Sequence, residues 1–195
     1  MKIFLFGGAE TGQARRELKM IEAVIKKIKP AQVLLIPFAR AKAYEAEWKG
    51  DWFNRNIKLE PGTKYLNAGR QIDLAEAKSP LIFMSGGNQI LNLAKKIKAN
   101  SKLARLIKKA DVIIGESAGA KILGAYFRIK GSDDKSKMKK GLGIIKDTVI
   151  VPHYIQRHRQ ESLITTGETE SVRARRRACP LDYCPWIRLE YSHAI

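Results

Sequence analysis

The feature that most limits the fold of this chain is a series of short, almost wholly apolar runs. Each is closed by glycine or proline, or followed by residues with apolar side chains at helical spacing. Lys2 to Phe6 ends at Gly7 and Gly8, and Arg15 to Ile28 then carries Leu18, Ile21, Ile25 and Ile28 on one helical stripe. Gln32 to Phe38 is a second run, rich in branched residues. Thr63 to Asn67 is a weaker strand, and Ala43 to Phe53 reads as a helix or lid. Ser79 to Met84 is closed by Gly86 and Gly87 before Ile90, Leu91, Leu93 and Ile97, and Leu103 to Lys109 extends that helical region. Asp111 to Ile114 and Thr148 to Val151 are the last clear strands. Strands apolar at nearly every position must be buried on both faces, so the pattern predicts an α/β fold in three layers. Its sheet is mostly parallel, with helices on both faces.

Length and composition agree with one such unit. At 195 residues and 45% hydrophobic, the chain can bury a sizeable core. It has no apolar run of 18 residues, and its first strand leads into glycine rather than a leader's apolar stretch, so a cytoplasmic protein without a membrane segment is expected. The formal charge of +18 raises nucleic acid as a partner. The lysines are nevertheless spread over several helix-like stretches (Lys26, Lys27, Lys29; Lys95, Lys96, Lys98; Lys108, Lys109), as solvated helix faces are, and that partner is disfavoured.

Composition changes near residue 156. Residues 1–155 hold 23 lysines and 7 arginines, whereas residues 156–195 hold no lysine and 7 arginines, together with Cys179, Cys184 and the Arg173 to Arg177 cluster. The sequence therefore divides into an α/β domain over 1–160 and an atypical segment over 161–195. An Arg-rich interaction tail or a shifted reading frame after Gln160 would each explain that segment, and the frame shift is favoured. The two cysteines have neither metal-ligand nor CxxC spacing.

In a parallel sheet, ligands bind beyond the carboxyl ends of the strands. The segment Gly115-Glu116-Ser117-Ala118-Gly119 follows the strand Asp111 to Ile114 and has the G-x-S-x-G spacing of a tight strand-to-helix turn that lifts a serine above the sheet. Ser117 is the candidate nucleophile, and the Ala118 N–H at the helix start would face a developing oxyanion. Gly86 and Gly87 would let backbone N–H groups approach a ligand and complete the oxyanion hole, while Asn88 is read first as a helix N-cap. His153 follows the strand ending at Val151, is expected on the same rim as Ser117, and is the candidate base. Asp133 or Asp134, in a polar loop between them, would orient the imidazole, and the sequence does not choose. Trp48 and Trp52 would cap the cleft or sit in the core; core is preferred.

Taken together, these residues resemble the dipeptidase E and cyanophycinase family of serine peptidases, whose fold is similar to the class I glutamine amidotransferases. The resemblance runs from Met1 to about Gln160 through Gly7-Gly8, Ile36-Pro37-Phe38-Ala39, Ser85-Gly86-Gly87-Asn88, Gly115 to Ala120, Gly141-Leu142-Gly143, and Pro152-His153-Tyr154 with Arg157 and Arg159. It implies a Ser117, His153 and Asp133 or Asp134 triad, an oxyanion hole from the N–H groups of Gly87 and Ala118, and substrate contacts at Gly86 and Asn88. Arg157 would grip the carboxylate of an amino-terminal aspartate in a dipeptide. The implied partner is a small peptide, with no cofactor and no metal, and a homodimer is allowed. The amidotransferases themselves carry cysteine at the elbow and glutamate two residues after the histidine, where this chain has Ser117 and Ile155. Two alternatives stand beside the peptidase: a basic nucleic-acid-binding protein, and a catalytically inactive member of the same fold.

Overall fold

The computed structural model describes residues 1–8, 14–40, 52–129, 138–152 and 186–188. Five parallel strands form the central sheet: β1 (Lys2–Phe6), β2 (Gln32–Ile36), β3 (Lys64–Asn67), β4 (Leu81–Met84) and β5 (Val112–Glu116), in spatial order β1-β5-β4-β2-β3. Register is continuous from Lys2↔Val112 to Phe6↔Glu116 between β1 and β5, and from Ile82↔Ile113 to Met84↔Gly115 between β4 and β5. β5 therefore lies between β1 and β4, with the ends of both strands beside its own.

The apolar runs are continuous because alternate residues enter two different cores. Leu34, Ile36, Ile82, Met84 and Ile113 face one core. Val33, Leu35, Leu81, Phe83 and Ile114 face the other. Helix α1 (Ala14–Ile28) closes the second core with Ile21 and Ile25, and α2 (Trp52–Asn56) adds Phe53, whose ring meets Phe83 edge-on and stacks on Tyr65. The first core is closed by α3 (Gln71–Glu76), α4 (Ile90–Ala99), α5 (Ser101–Lys109) and α6 (Ala118–Leu123). Asn100 separates α4 from α5 and caps the latter, its side chain accepting the Leu103 N–H at 3.0 Å. No helix among the described residues is long and apolar enough to cross a membrane.

One strand departs from expectation. The Thr148 to Val151 run is part of β8 (Ile145–Val151), which joins a second sheet rather than extending the first. That sheet has the order β7-β6-β8-β9, from β6 (Gly124–Arg128), β7 (Met138–Lys140), β8 and β9 (Trp186–Arg188). β6 follows α6 directly and pairs antiparallel with β7 but parallel with β8. Phe127 and Ile150 are buried in the same core as Ile82 and Ile113, so the two sheets share it. Within 161–195 only β9 is described, and it runs parallel to β8. Of the expected Ala43 to Phe53 helix, Trp52 and Phe53 fall in α2, and the remainder lies outside the described residues.

Phe83 is fully buried with its ring 5.0 Å from that of Phe53. Phe83→Ala should cost about 3–5 kcal/mol of folding stability, read as a lowered urea midpoint at an unchanged slope.

Candidate active site

Four strand ends meet at one edge of the central sheet. β1 ends at Gly7-Gly8, β2 at Pro37 to Arg40, β4 at Ser85 to Gln89, and β5 at the turn into α6. At that last turn Ser117 has φ 49° and ψ −107°, a conformation that L residues avoid. Such a position costs on the order of 1–3 kcal/mol and persists only where its surroundings over-determine it.

The surroundings do so through backbone bonds and close packing. The Ser117 N–H donates to the Phe6 carbonyl at 2.9 Å, and the Ser117 carbonyl accepts the Lys121 N–H at 2.9 Å, so the residue is held by β1 on one side and α6 on the other. A Cβ on Gly115 would lie 2.8 Å from the Ala120 Cα, closer than real Cβ atoms come. The helix folds back onto its own strand only because position 115 is glycine. Ser117 is 8% exposed and is followed by the buried Ala118, Gly119 and Ala120.

Gly86 lies against the serine: a Cβ there would sit 3.0 Å from the Ser117 Cβ. Gly87 is exposed and has φ +150°, a backbone state suited to glycine. Its loop is pinned to β2, with Gln89 N–H donating to the Ala39 carbonyl at 2.9 Å and Asn92 Nδ2 to the Phe38 carbonyl at 2.9 Å. The N-cap of α4 is Gln89, one residue beyond the expected Asn88, and no side chain caps it; Asn88 is exposed. Ala118, the first residue of α6, is buried beside the serine, where an early helical N–H has no intrahelical acceptor. Ser117, Ala118, Gly86 and Gly87 are thus brought to one place. His153, Asp133, Asp134 and Arg157 lie outside the described residues.

Three charged residues at this edge were not singled out from the sequence. The Glu116 side chain accepts from the Gly86 N–H at 3.0 Å and from Arg40 Nη2 at 3.3 Å, joining the ends of β5, β4 and β2. Glu17, on α1, is 3% exposed, and its Oε2 has no hydrogen-bond partner among the described residues. Burial, and secondarily the nearby Glu116 carboxylate, push the Glu17 carboxyl up from an ordinary 4.5 to about 7, against the opposing effect of a hydrogen bond from the Gly8 N–H. Glu17 carried a signal: it stands four and eight residues before the buried Ile21 and Ile25, an acid on the apolar stripe. Glu116 lay unremarked inside the G-x-S-x-G segment, and Arg40 just past Ile36-Pro37-Phe38-Ala39.

Relatives bear on this arrangement. The sequence pattern of Peptidase family S51 matches residues 3–190. A cyanophycinase from Geminocystis herdmanii (strain PCC 6308) is 30% identical in a match of length 97 that covers 45% of this chain and 36% of that protein, so the match spans about a third of the relative's length. The crystal structure of a candidate peptidase E from Listeria monocytogenes EGD-e superposes with a TM-score of 0.54 at 19% identity, over 85% of this chain and 87% of the other. That likeness shows the fold, a five-stranded parallel sheet of the class I glutamine amidotransferase type.

A carboxyl whose pKa is raised on folding holds its proton more tightly in the folded state. Its contribution to stability is complete below pH 4.5 and is lost as the pH rises through about 7. Glu17→Gln should remove this dependence. The loss between pH 5 and pH 8, at most about 3 kcal/mol in the parent, should shrink in the variant, as read from urea midpoints at both pH values.

Proposed function

The chain belongs to peptidase family S51, and on that premise we propose that it hydrolyses small peptides with Ser117 as nucleophile, dipeptides with amino-terminal aspartate being the preferred substrates. Family membership implies serine hydrolase chemistry. The observation that carries the reading is the serine itself, held at φ 49° on a strand-to-helix turn with Gly86 packed against it. A side chain held this way keeps its position through the reaction, which lowers the reorganisation needed to reach the transition state.

In this mechanism the Ser117 Oγ attacks the scissile carbonyl carbon while His153 takes the hydroxyl proton. The carbonyl oxygen, now an anion, is held by the N–H groups of Gly87 and Ala118. The C–N bond breaks, His153 returns the proton to the leaving amine, and the acyl group remains on Ser117 as an ester. Water then gives a proton to His153 and attacks the ester, and the serine recovers its proton as the acid departs. Asp133 or Asp134 holds the imidazole in the required tautomer. Arg157 binds the aspartate carboxylate through paired hydrogen bonds. No step calls on a metal or organic cofactor. The catalytic unit is assigned to residues 1–160 and the compartment to the cytoplasm.

The test combines a serine-directed fluorophosphonate with hydrolysis of Asp-Leu and Ala-Leu. A mass shift on Ser117 and cleavage of Asp-Leu are expected, and Ser117→Ala should abolish the first and lower kcat by about 10⁴-fold or more. Asp-Leu should exceed Ala-Leu in kcat/KM by roughly 10- to 100-fold, and Arg157→Met should erase that preference, as loss of a charge-assisted hydrogen bond predicts. Folded protein that neither labels nor cleaves either dipeptide would refute the proposal.

A further inference from the structure

We propose that Glu116 is a positioning residue for the oxyanion hole, its carboxylate clasping the Gly86 amide and the Arg40 guanidinium so that the next N–H, that of Gly87, is presented to the carbonyl attacked by Ser117. The inference rests on the serine peptidase reading for its catalytic consequence, and on hydrogen-bond accounting for its geometry.

Each backbone N–H leaving a sheet needs an acceptor once the ladder ends. β4 and β5 pair as far as Met84↔Gly115, and on the other side of β4 the Ser85 N–H is taken by the Ile36 carbonyl at 3.2 Å. Gly86 is the first residue past both ladders, and it is buried. Its N–H is taken by Glu116 Oε2 at 3.0 Å, a side chain replacing the carbonyl that the sheet no longer supplies. The same oxygen takes Arg40 Nη2 at 3.3 Å. With side-chain exposures of 12% for Glu116 and 19% for Arg40, this ion pair is shielded from water, and charge-assisted bonds there hold direction better than at an open surface.

Position along the chain gives the clasp its consequence. Glu116 immediately precedes the nucleophile, and Gly86 immediately precedes the proposed oxyanion donor. One carboxylate thus links the two backbone segments that must keep a fixed relation while the acyl group moves. Arg40 fixes the carboxylate from a third strand end, and its own turn is closed by the Arg40 N–H donating to the Pro37 carbonyl at 2.8 Å. Glutamate reaches from the end of β5 to this point, balances the guanidinium, and accepts from both donors. Glutamine can accept the Gly86 N–H but cannot balance the charge. Alanine can do neither, and leaves a buried N–H unsatisfied.

The experiment compares Glu116→Gln and Glu116→Ala with the parent by three readouts: amide exchange at Gly86 and Gly87 in the folded protein, thermal midpoint, and kcat and KM for Asp-Leu. In Glu116→Ala the Gly86 amide should exchange at least about tenfold faster, as a lost local bond predicts. Its kcat should fall about 10- to 100-fold with KM within roughly threefold, somewhat less than deletion of an oxyanion donor. Glu116→Gln should recover most of the Gly86 protection and part of kcat. A loss carried by KM alone, or a Gly86 exchange rate unchanged in Glu116→Ala, would overturn the proposal. If Glu116→Ala does not fold, Glu116→Gln decides by the same criteria, with an intermediate kcat as the supporting result and a parental kcat as the refuting one. Should the parent itself neither label nor cleave, the peptidase reading fails on its own account, and Gly86 exchange still decides whether the clasp exists.

Discussion

Everything at the top of the central sheet depends on how closely α6 approaches the strands beneath it. A Cβ at Gly115 would meet the Ala120 Cα, and one at Gly119 would fall onto the Met84 carbonyl, so helix and strands touch backbone to backbone. That approach leaves no room for an ordinary strand-to-helix loop. The chain reverses in one residue, and Ser117 takes the strained dihedrals that such a reversal demands. The strain, on the order of 1–3 kcal/mol, is small against the burial on either side, where Ile113, Ile114, Ala120, Ile122 and Leu123 are all inaccessible to solvent. A rigid core thereby maintains a local conformation that the segment would not adopt alone.

The same crowding explains the uneven legibility of the sequence. β1, β2, β4 and β5 could be read directly because their apolar runs are unbroken, with Lys2, Gln32 and Glu116 confined to strand ends, and the G-x-S-x-G segment because the turn admits so few residues. β6 was not legible: Gly124-Ala125-Tyr126-Phe127-Arg128 has Ala125, Tyr126 and Arg128 half-buried, is short, and follows α6 without a break. α3 was missed for a related reason. It has six residues and is anchored mainly by Leu74 and by Asp73, whose carboxylate accepts the Asn67 N–H at 2.7 Å. Neither signal has a period. That β8 belongs to a second sheet was also hidden, since a strand's apolar pattern records that it is buried, not which neighbour it pairs with.

The charged cluster was least legible, because its meaning arises only when distant segments meet. Arg40 and Glu116 are 76 residues apart, and Glu17 is on a third element. Singly, Arg40 and Glu116 read as ordinary surface charges, and only Glu17, on the apolar stripe of α1, is marked by its own position. Together they place two carboxyls and one guanidinium around buried backbone, and one carboxyl responds by holding its proton to about 7. With Glu17 neutral, Glu116 and Arg40 balance. Ionising Glu17 would bury a charge, which is the larger part of the cost, and would add a second negative charge near the Glu116 carboxylate.

This coupling extends to the second sheet through packing rather than charge. α6 begins at the serine and contacts β4, β5, β6 and β8. Ile122 and Leu123 of α6 share a core with Phe127 of β6 and Ile150 of β8. The proposed base follows β8 by two residues in sequence, so the proposed nucleophile and the strand leading to that base are referred to one short helix. Close-packed interiors transmit displacement because they have few voids to absorb it. A change of volume at Ile122 or Ile150 would therefore shift β8 against the elbow, although Ile150 is far from the serine in sequence. The helix's six residues are the common reference for the serine and for β8, and their close approach to the sheet leaves no room for a side chain at Gly115 or Gly119.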